Sequence, residues 1–293
     1  MGERATAVSI IIPSLNSPLI DQVAAAIVGQ AQAEVIREIV VVGKDEAGLL
    51  PVGGRIRLLD TGQPVPPGTA RNLGIRAATA DLLIFLDSDC LPQPGWLAAH
   101  LAAHQAGHAV VGGGVLPDGE NYWALSYNLT MFHEYFSTAM AGKRPLLPTL
   151  NLSVERQVIE TVGLLNETLP RSQDLDWTTR MNQAGFSPYF WPEAAIQHRH
   201  NRTTAGKVWQ DCARSGHFAR QARLAHRETL GTPLWLRWRW LVLLLSPLIA
   251  AAVTGKILGE RPFILRRHAA AIPAIYLSKI AWCWGASRRE PPS

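Results

Sequence analysis

Asp87-Ser88-Asp89 follows directly on the apolar run 82–86, LLIFL. Such a run reads as a strand buried on both faces, so both carboxylates stand at its carboxyl end. Two hard oxygen donors on one turn suit Mg²⁺ or Mn²⁺, and the ion would offset charge building on a leaving diphosphate. The triplet is equally an ordinary turn composition. Asp174 and Asp176 open the helical-looking run 174–184. Both acids suit a helix start, where the dipole favours them. His198 and His200 stand two apart on an apparent strand. His100, His104 and His108 recur every four residues without an accompanying carboxylate or cysteine, which reads as a solvated or loosely packed face. Cys90 reads as a small packed residue. Glycines 112–114 read as a close backbone approach, because no Gly-Lys-Ser/Thr follows them.

The elements that must position these groups alternate in kind. Residues 8–12 (VSIII), 38–42 (EIVVV), 55–59 and 82–86 read as buried strands. Helical patterns occupy about 17–32 and 69–80. Strands alternating with helices predict a parallel sheet with crossover helices. Ligands of such sheets sit beyond the carboxyl ends of the strands. Residues 13–16, 43–46 and 87–90 should therefore meet in one crevice.

Six segments carry a resemblance: VSIIIPSLN (8–16), GTARNLGIRAA (68–78), LLIFLDSDC (82–90), PTLNLSVER (148–156), QDLDWTTRMNQAG (173–185) and PEAAIQHRH (192–200). In order and spacing they resemble the motifs of family 2 glycosyltransferases, over about residues 8–225. The resemblance implies an α/β architecture, the GT-A nucleotide-diphospho-sugar transferase fold, with a mostly parallel Rossmann-like sheet flanked by helices. It places Pro13, Ser14 and Asn16 under the nucleobase and ribose, and Arg71 and Asn72 beside the donor. It matches Asp87, Ser88 and Asp89 to a D-x-D motif holding Mn²⁺ or Mg²⁺ and the nucleotide diphosphate. Asp174 matches the base of inverting members, which must reach the acceptor hydroxyl and stay ionised near neutral pH. His198 or His200 matches a late histidine of the metal shell; the two are expected on opposite faces, so at most one is a ligand, with His198 preferred. On the acceptor side it implies Trp123, Asn151, Asp176 and Trp177, although aromatic residues at helical spacing in 121–141 read first as core. Two departures stand out. Asp45 is the substitute for an acidic residue after the second strand, in a shifted register, and Gln173 replaces the first acid of an E-D pair.

The charge is split. Residues 1–198 hold 12 Lys/Arg and 19 Asp/Glu, whereas 199–293 hold 16 Lys/Arg, 4 Asp/Glu and six of the ten tryptophans. A basic, Trp-rich segment after an acidic unit suits an anionic surface. Nucleic acid fits poorly, because the charge accompanies Trp and Leu and no nucleic-acid module is recognisable. The apolar runs 241–253 and 269–286 are short for spans, the second carries Lys279, and a basic loop between two spans would break the charge rule. The expected arrangement is a catalytic domain at 1–225 and a helical membrane-attachment segment at 226–293. That segment would lie peripherally or monotopically on the cytoplasmic leaflet, with Arg237 to Trp240 at headgroup depth and Trp282 and Trp284 at the other end. Two transmembrane helices are the alternative, and a buried helical hairpin is the plain structural one. Three cysteines and an N-terminus with only a five-residue apolar run suit a reducing compartment without a signal peptide.

The function expected is an inverting, metal-dependent glycosyltransferase using a nucleoside-diphosphate sugar and a hydroxyl of a lipid-linked or membrane-proximal glycan acceptor. A non-catalytic membrane scaffold that kept the fold is the alternative. A nucleotidyltransferase fits less well, because no Gly-rich basic loop follows the first strand.

Overall fold

The computed structural model describes residues 7–292; the first six residues of the segment inspected for a leader lie outside them. In chain order the strands and α-helices are β1 (Val8–Leu15), α1 (Ile20–Val28), β2 (Ile36–Lys44), β3 (Ile56–Asp60), α2 (Pro67–Ala77), β4 (Leu82–Leu86), β5 (Cys90–Pro92), α3 (Trp96–Gln105), β6 (Val110–Val115) and α4 (Tyr122–Met131). They continue with β7 (Gly142–Lys143), β8 (Asn151–Glu155), α5 (Arg156–Val162), α6 (Gln173–Gln183), β9 (Tyr189–His198), α7 (Ala205–Ala225), α8 (Arg239–Leu244), α9 (Ser246–Glu260), α10 (Phe263–Arg267) and α11 (Ile272–Ser287). The chain divides into two compact units, 1–116 with 137–197, and 117–136 with 198–293. The division does not fall at residue 225. The second unit takes in α4 and α7, which the sequence reading had placed in the catalytic part.

The first unit is built on one sheet of order β3-β2-β1-β4-β8-β6-β9-β5, with β7 on β9. The strands β3, β2, β1 and β4 run parallel, as the alternation of strands and helices required. Beyond β4 the sheet is mixed: β8 runs antiparallel to both β4 and β6, while β6 and β9 are parallel. The β-branched runs of β1 and β2 and all of β4 are buried, which is why they read as continuous apolar stretches rather than alternating ones. Helix α2 lies close on β1: a Cβ on Gly74 would stand 2.4 Å from Ile11 Cγ2. At Gly113 a Cβ would meet Ala194 O at 2.1 Å and Asn151 Nδ2 at 2.2 Å, so the glycines of β6 do serve a close backbone approach.

The second unit is helical. Helices α7 and α11 meet through glycine: a Cβ on Gly216 would lie 2.0 Å from Trp282 O, and one on Gly285 1.8 Å from Ala213 O. Most of α11 is buried or half-buried, including Ala274, Ile275, Ala281, Cys283 and Ala286. Lys279 donates to Thr130 O at 3.0 Å, and burial lowers its ammonium pKa. Thus α11 is a packed helix, in keeping with the plainer alternative for the second apolar run. Trp282 packs against the cluster of Leu236, Val242, Cys283 and Ala286, and Trp284 lies 6.2 Å from Trp209. Among the described residues no helix is long and apolar enough to cross a membrane. Phe132 and Phe136 are buried within this unit, as core aromatics should be. Tyr122 is exposed and donates to Ala270 O at 3.0 Å.

Candidate active site

The carboxyl ends of β1, β2 and β4 do converge. A pocket of about 180 Å³ is lined by Pro13, Ser14, Leu15, Val42, Gly43, Val65, Pro67, Ala70, Arg71 and the triplet Asp87, Ser88, Asp89. It sits where the sheet order changes direction, between β1's neighbours β2 and β4. Ser14 and Gly43 touch: a Cβ on Gly43 would stand 1.9 Å from Ser14 O, and its φ is +136°. Only glycine fits there. Ser17 Oγ donates to Ser88 O at 2.8 Å and ties the loop after β1 to the acidic turn.

Arg71 projects from α2 and is buried. Its Nη2 donates to Asp87 Oδ1. Asp174 joins this pair through α6. Trp177, one turn further on, is fully buried edge-on against Phe85 of β4 at 5.4 Å, and its Nε1 donates to Gly163 O at 2.9 Å. That packing sets the start of α6 beside the end of β4. Asp174 Oδ1 accepts the Leu175 N–H at 2.9 Å. Burial raises the Asp174 pKa above its ordinary 3.8; Arg71 pulls it down and Asp87 pushes it further up. A carboxylate, a guanidinium and a second carboxylate thus share one electrostatic neighbourhood. Ser14 Oγ, Arg71 Nε and Gln173 Nε2 are buried polar atoms without a hydrogen-bond partner. Buried polar groups are rarely left so, and here they mark where a polar ligand would bond.

Several expected contacts lie elsewhere. Asp45 accepts the N–H groups of Leu49 and Leu50 at 3.1 and 2.7 Å, so its carboxylate closes its own turn. Asn16 pairs instead with Glu46, giving Nδ2 to Glu46 Oε2 at 3.1 Å and receiving the Glu46 N–H at 2.9 Å. Glu46, held by Lys44 at 3.1 Å, is the acid next to Asn16 that sequence reasoning missed. Asn72 is buried and clasps the 165–167 loop, bonding Leu165 O, Leu165 N and Glu167 Oε1. It does not line the pocket.

The acceptor assignments need more correction. Trp177 is core, as described. Asp176 pairs with Arg180 at 3.0 Å along its own helix, the structural role that its position at the helix start allowed. Asn151 is buried in a polar network. Its Nδ2 donates to Gly114 O and Ala194 O, so its Oδ1 accepts, from Trp96 Nε1 at 2.9 Å and from His100 Nε2 at 3.0 Å. His100, pushed down to about 3 by burial, is neutral, so its Nδ1 accepts from the Ser153 hydroxyl at 2.9 Å. His104 Nε2 stands 2.7 Å from Ser153 Oγ, and His108 stacks on Tyr189 at 3.7 Å. The histidine stripe is therefore a buried network and a stacked end, not a solvated face. The sequence showed its spacing but not the polar strand residues opposite it. Cys90 is buried, as expected.

In the second unit Trp123 is half-buried and edge-on to Tyr122 at 4.9 Å. His198 and His200 do not face opposite ways. The chain leaves β9 at His198, and both rings turn to Asn128 Oδ1 at 3.2 Å, with centroids 4.7 Å apart. Residues two apart on a strand share a face, so the period of two itself sets both rings on one side, and the expected opposition was wrong. A larger pocket of about 610 Å³ opens at the amino ends of the parallel strands, around Asp81, His104 and Glu155. It holds none of the residues expected at the site.

A family model described as glycosyl transferase family 2 matches residues 9–154. The glycosyltransferase AglE of Haloferax volcanii is 33% identical over 122 residues, 41% of this chain and 40% of that protein. The pre-mycofactocin glycosyltransferase of Mycobacterium tuberculosis is 31% identical over 146 residues, 46% of this chain and 30% of its own length. The match thus spans well under half of these relatives. Among solved structures, the mannosyltransferase PcManGT from Pyrobaculum calidifontis, in complex with GDP-Man and Mn²⁺, shares the fold at TM-score 0.62 and 16% identity, covering 96% of this chain and 86% of that one. GalNAc-T7 with UDP, GalNAc and Mn²⁺ aligns at TM-score 0.56 and 14% identity, covering 79% and 52%. The segment so matched carries β1, β2, β4 and the Asp87–Asp89 turn, so the likeness to glycosyl transferase family 2 covers the elements that form the pocket.

Proposed function

We propose that this protein is an inverting, metal-dependent glycosyltransferase. It moves a sugar from a nucleoside-diphosphate donor to a hydroxyl of a lipid-linked or membrane-proximal glycan. The observation that carries this reading is the meeting of Asp174, Arg71 and Asp87 beside the strand-end pocket. The structural neighbours solved with UDP or GDP-Man and Mn²⁺ support the donor class. Asp87 and Asp89 offer hard oxygen donors that fit Mn²⁺ or Mg²⁺. Asp87, one oxygen of which accepts from Arg71, and Asp89 would together hold that cation. When bound, the ion offsets charge developing on the leaving diphosphate. His198 enters the metal shell on the family resemblance.

The residues divide the remaining work. Pro13, Ser14 and the Gly43 backbone line the nucleotide pocket, and the Asn16–Glu46 pair lies just beyond Leu15 in the chain. The buried Arg71 guanidinium fixes Asp87 and brings positive charge to the diphosphate. Asp174 accepts the acceptor hydroxyl's proton as that oxygen bonds to the anomeric carbon and the bond to the diphosphate breaks. The basic, Trp-rich last third suits attachment to an anionic cytoplasmic leaflet near such an acceptor.

The test is calorimetric titration with UDP, GDP, dTDP and CDP, with and without Mn²⁺. The expected result is metal-dependent binding of one nucleotide, lost in Asp89→Ala. Absence of binding to folded protein would overturn the enzyme reading in favour of a non-catalytic scaffold.

A further inference from the structure

Helices α8 and α9 are nearly continuous. Leu245 donates to Leu241 O and Ile249 donates to Leu245 O, both at 2.9 Å, so the helical bonding carries across the junction. Pro247 falls at the start of α9, where its missing N–H costs little. What is unusual is the polarity of the two faces. Inward within the unit point Val242, Ser246, Ala250, Thr254 and Ile257. The exposed positions are Trp240, Leu243, Leu244, Pro247, Leu248, Ala251, Ala252 and Gly255. Their spacing of three and four makes one continuous stripe. The outward stripe is therefore more apolar than the buried one, which includes two hydroxyls. Trp240, Leu244 and Leu248 are 65%, 67% and 69% exposed. A surface helix folding only on its own unit should show the reverse pattern.

The borders of the stripe are basic. From 234 to 268 the chain carries Arg237, Arg239, Lys256, Arg261, Arg266 and Arg267 against Glu260; Lys256 pairs with Glu134 at 3.2 Å as well as with Glu260, and the arginines leave the border cationic. Exposed Trp238 lies under the Arg237 guanidinium at 5.2 Å. Two copies meeting through this face would bring like charges together. An anionic bilayer complements both features, apolar centre and cationic edge.

We infer that the outer face of α8–α9, from Trp240 to Gly255, is the surface that docks on an anionic lipid bilayer. The helix lies in the plane of the interface, with Trp238 and Trp240 at headgroup level beside Arg237 and Arg239. The inference rests on the proposed membrane attachment and narrows it. α11, with Trp282 and Trp284, belongs to the interior of its own unit and is not the second half of an interfacial hairpin.

The experiment is flotation of the full chain with vesicles of phosphatidylcholine, alone and mixed with phosphatidylglycerol. It compares wild type, Leu244→Gln/Leu248→Gln and Arg237→Glu, with light scattering in the absence of lipid. Wild type should float with the mixed vesicles and bind pure phosphatidylcholine at least tenfold more weakly. The double variant should lose at least tenfold in partitioning, and Arg237→Glu should weaken binding most at low salt. Unchanged flotation in the double variant overturns the inference. So does a dimer in solution that the double variant converts to monomer while wild type ignores both vesicles. Circular dichroism melts check folding. Nucleotide titration of the same variants separates the two claims, because loss of docking with retained Mn²⁺-dependent nucleotide binding leaves the enzyme reading intact. Docking without nucleotide binding fails only the enzyme reading.

Discussion

Asp174 shows what one residue gains from its surroundings. Its backbone stands at the positive end of α6, which favours ionisation, while burial opposes it more strongly. The raised pKa makes it a better proton acceptor, provided the pH stays above that value. Asp174→Asn should lower kcat by roughly 10²–10⁴-fold while leaving Mn²⁺-dependent nucleotide binding intact, read by turnover and calorimetry together. The base works deprotonated, so wild-type activity should fall as pH drops through the raised Asp174 value. The acid limb of the pH–rate profile should therefore lie above the ordinary 3.8 of a free aspartate. Arg71 works through Asp87 and is expected to behave as a positioning residue.

At the scale of elements, α2 and β2 are held by contacts that can be weakened singly. Gly74 lets α2 approach β1, with Ile11 Cγ2 only 2.4 Å from where a Cβ would stand. Gly74→Val should cost about 1–3 kcal/mol by overpacking, seen as a lower urea midpoint at unchanged slope. On β2, Glu38 accepts from Arg57 at 2.7 Å, the Thr79 N–H at 2.7 Å, Thr79 Oγ1 at 2.8 Å and Ser9 Oγ at 2.9 Å. Burial alone would raise its pKa, but these donors outweigh burial and hold it at about 2 against an ordinary 4.5. Its stabilising effect is complete above pH 4.5 and disappears as pH falls towards 2. Glu38→Gln should cost on the order of 2 kcal/mol near neutral pH and flatten the stability curve across that window, measured by urea unfolding at several pH values.

For the whole molecule, the two compact units carry different chemistry. The sheet unit holds the acidic turn and Asp174; the helical unit holds most of the basic, Trp-rich sequence and the apolar α8–α9 face. Each contains buried thiols: Cys90 in the first, Cys212 and Cys283 in the second. Burial, aided by Asp89 and Asp87, pushes the Cys90 thiol well up, and burial raises Cys283 to about 11. Native protein should therefore resist thiol reagents. In increasing urea, Cys212 and Cys283 should become reactive at one shared midpoint, read by mass spectrometry of the labelled peptides.

Sequence alone determined the parallel strands β1, β2 and β4, the crevice at their carboxyl ends, the acidic turn and the helix that begins at Asp174. Those follow from local rules: buried parallel strands are continuous apolar runs, and loops at their ends must converge. The family resemblance supplied the roles. Tertiary structure decided which polar side chains face that crevice. Asn72, Asn151, Asp176 and Trp177 sit in matching motifs, yet their partners are 165–167, Trp96 with His100, Arg180 and Phe85. Three of those partners are distant in sequence, and no local pattern encodes them. His198 and His200 turn together because residues two apart share a strand face, which the period of two already dictates. The two apolar runs near the C-terminus look alike in composition. Only packing made α11 interior and left the apolar face of α8–α9 outside, because which side of a helix is covered depends on what its neighbours bury.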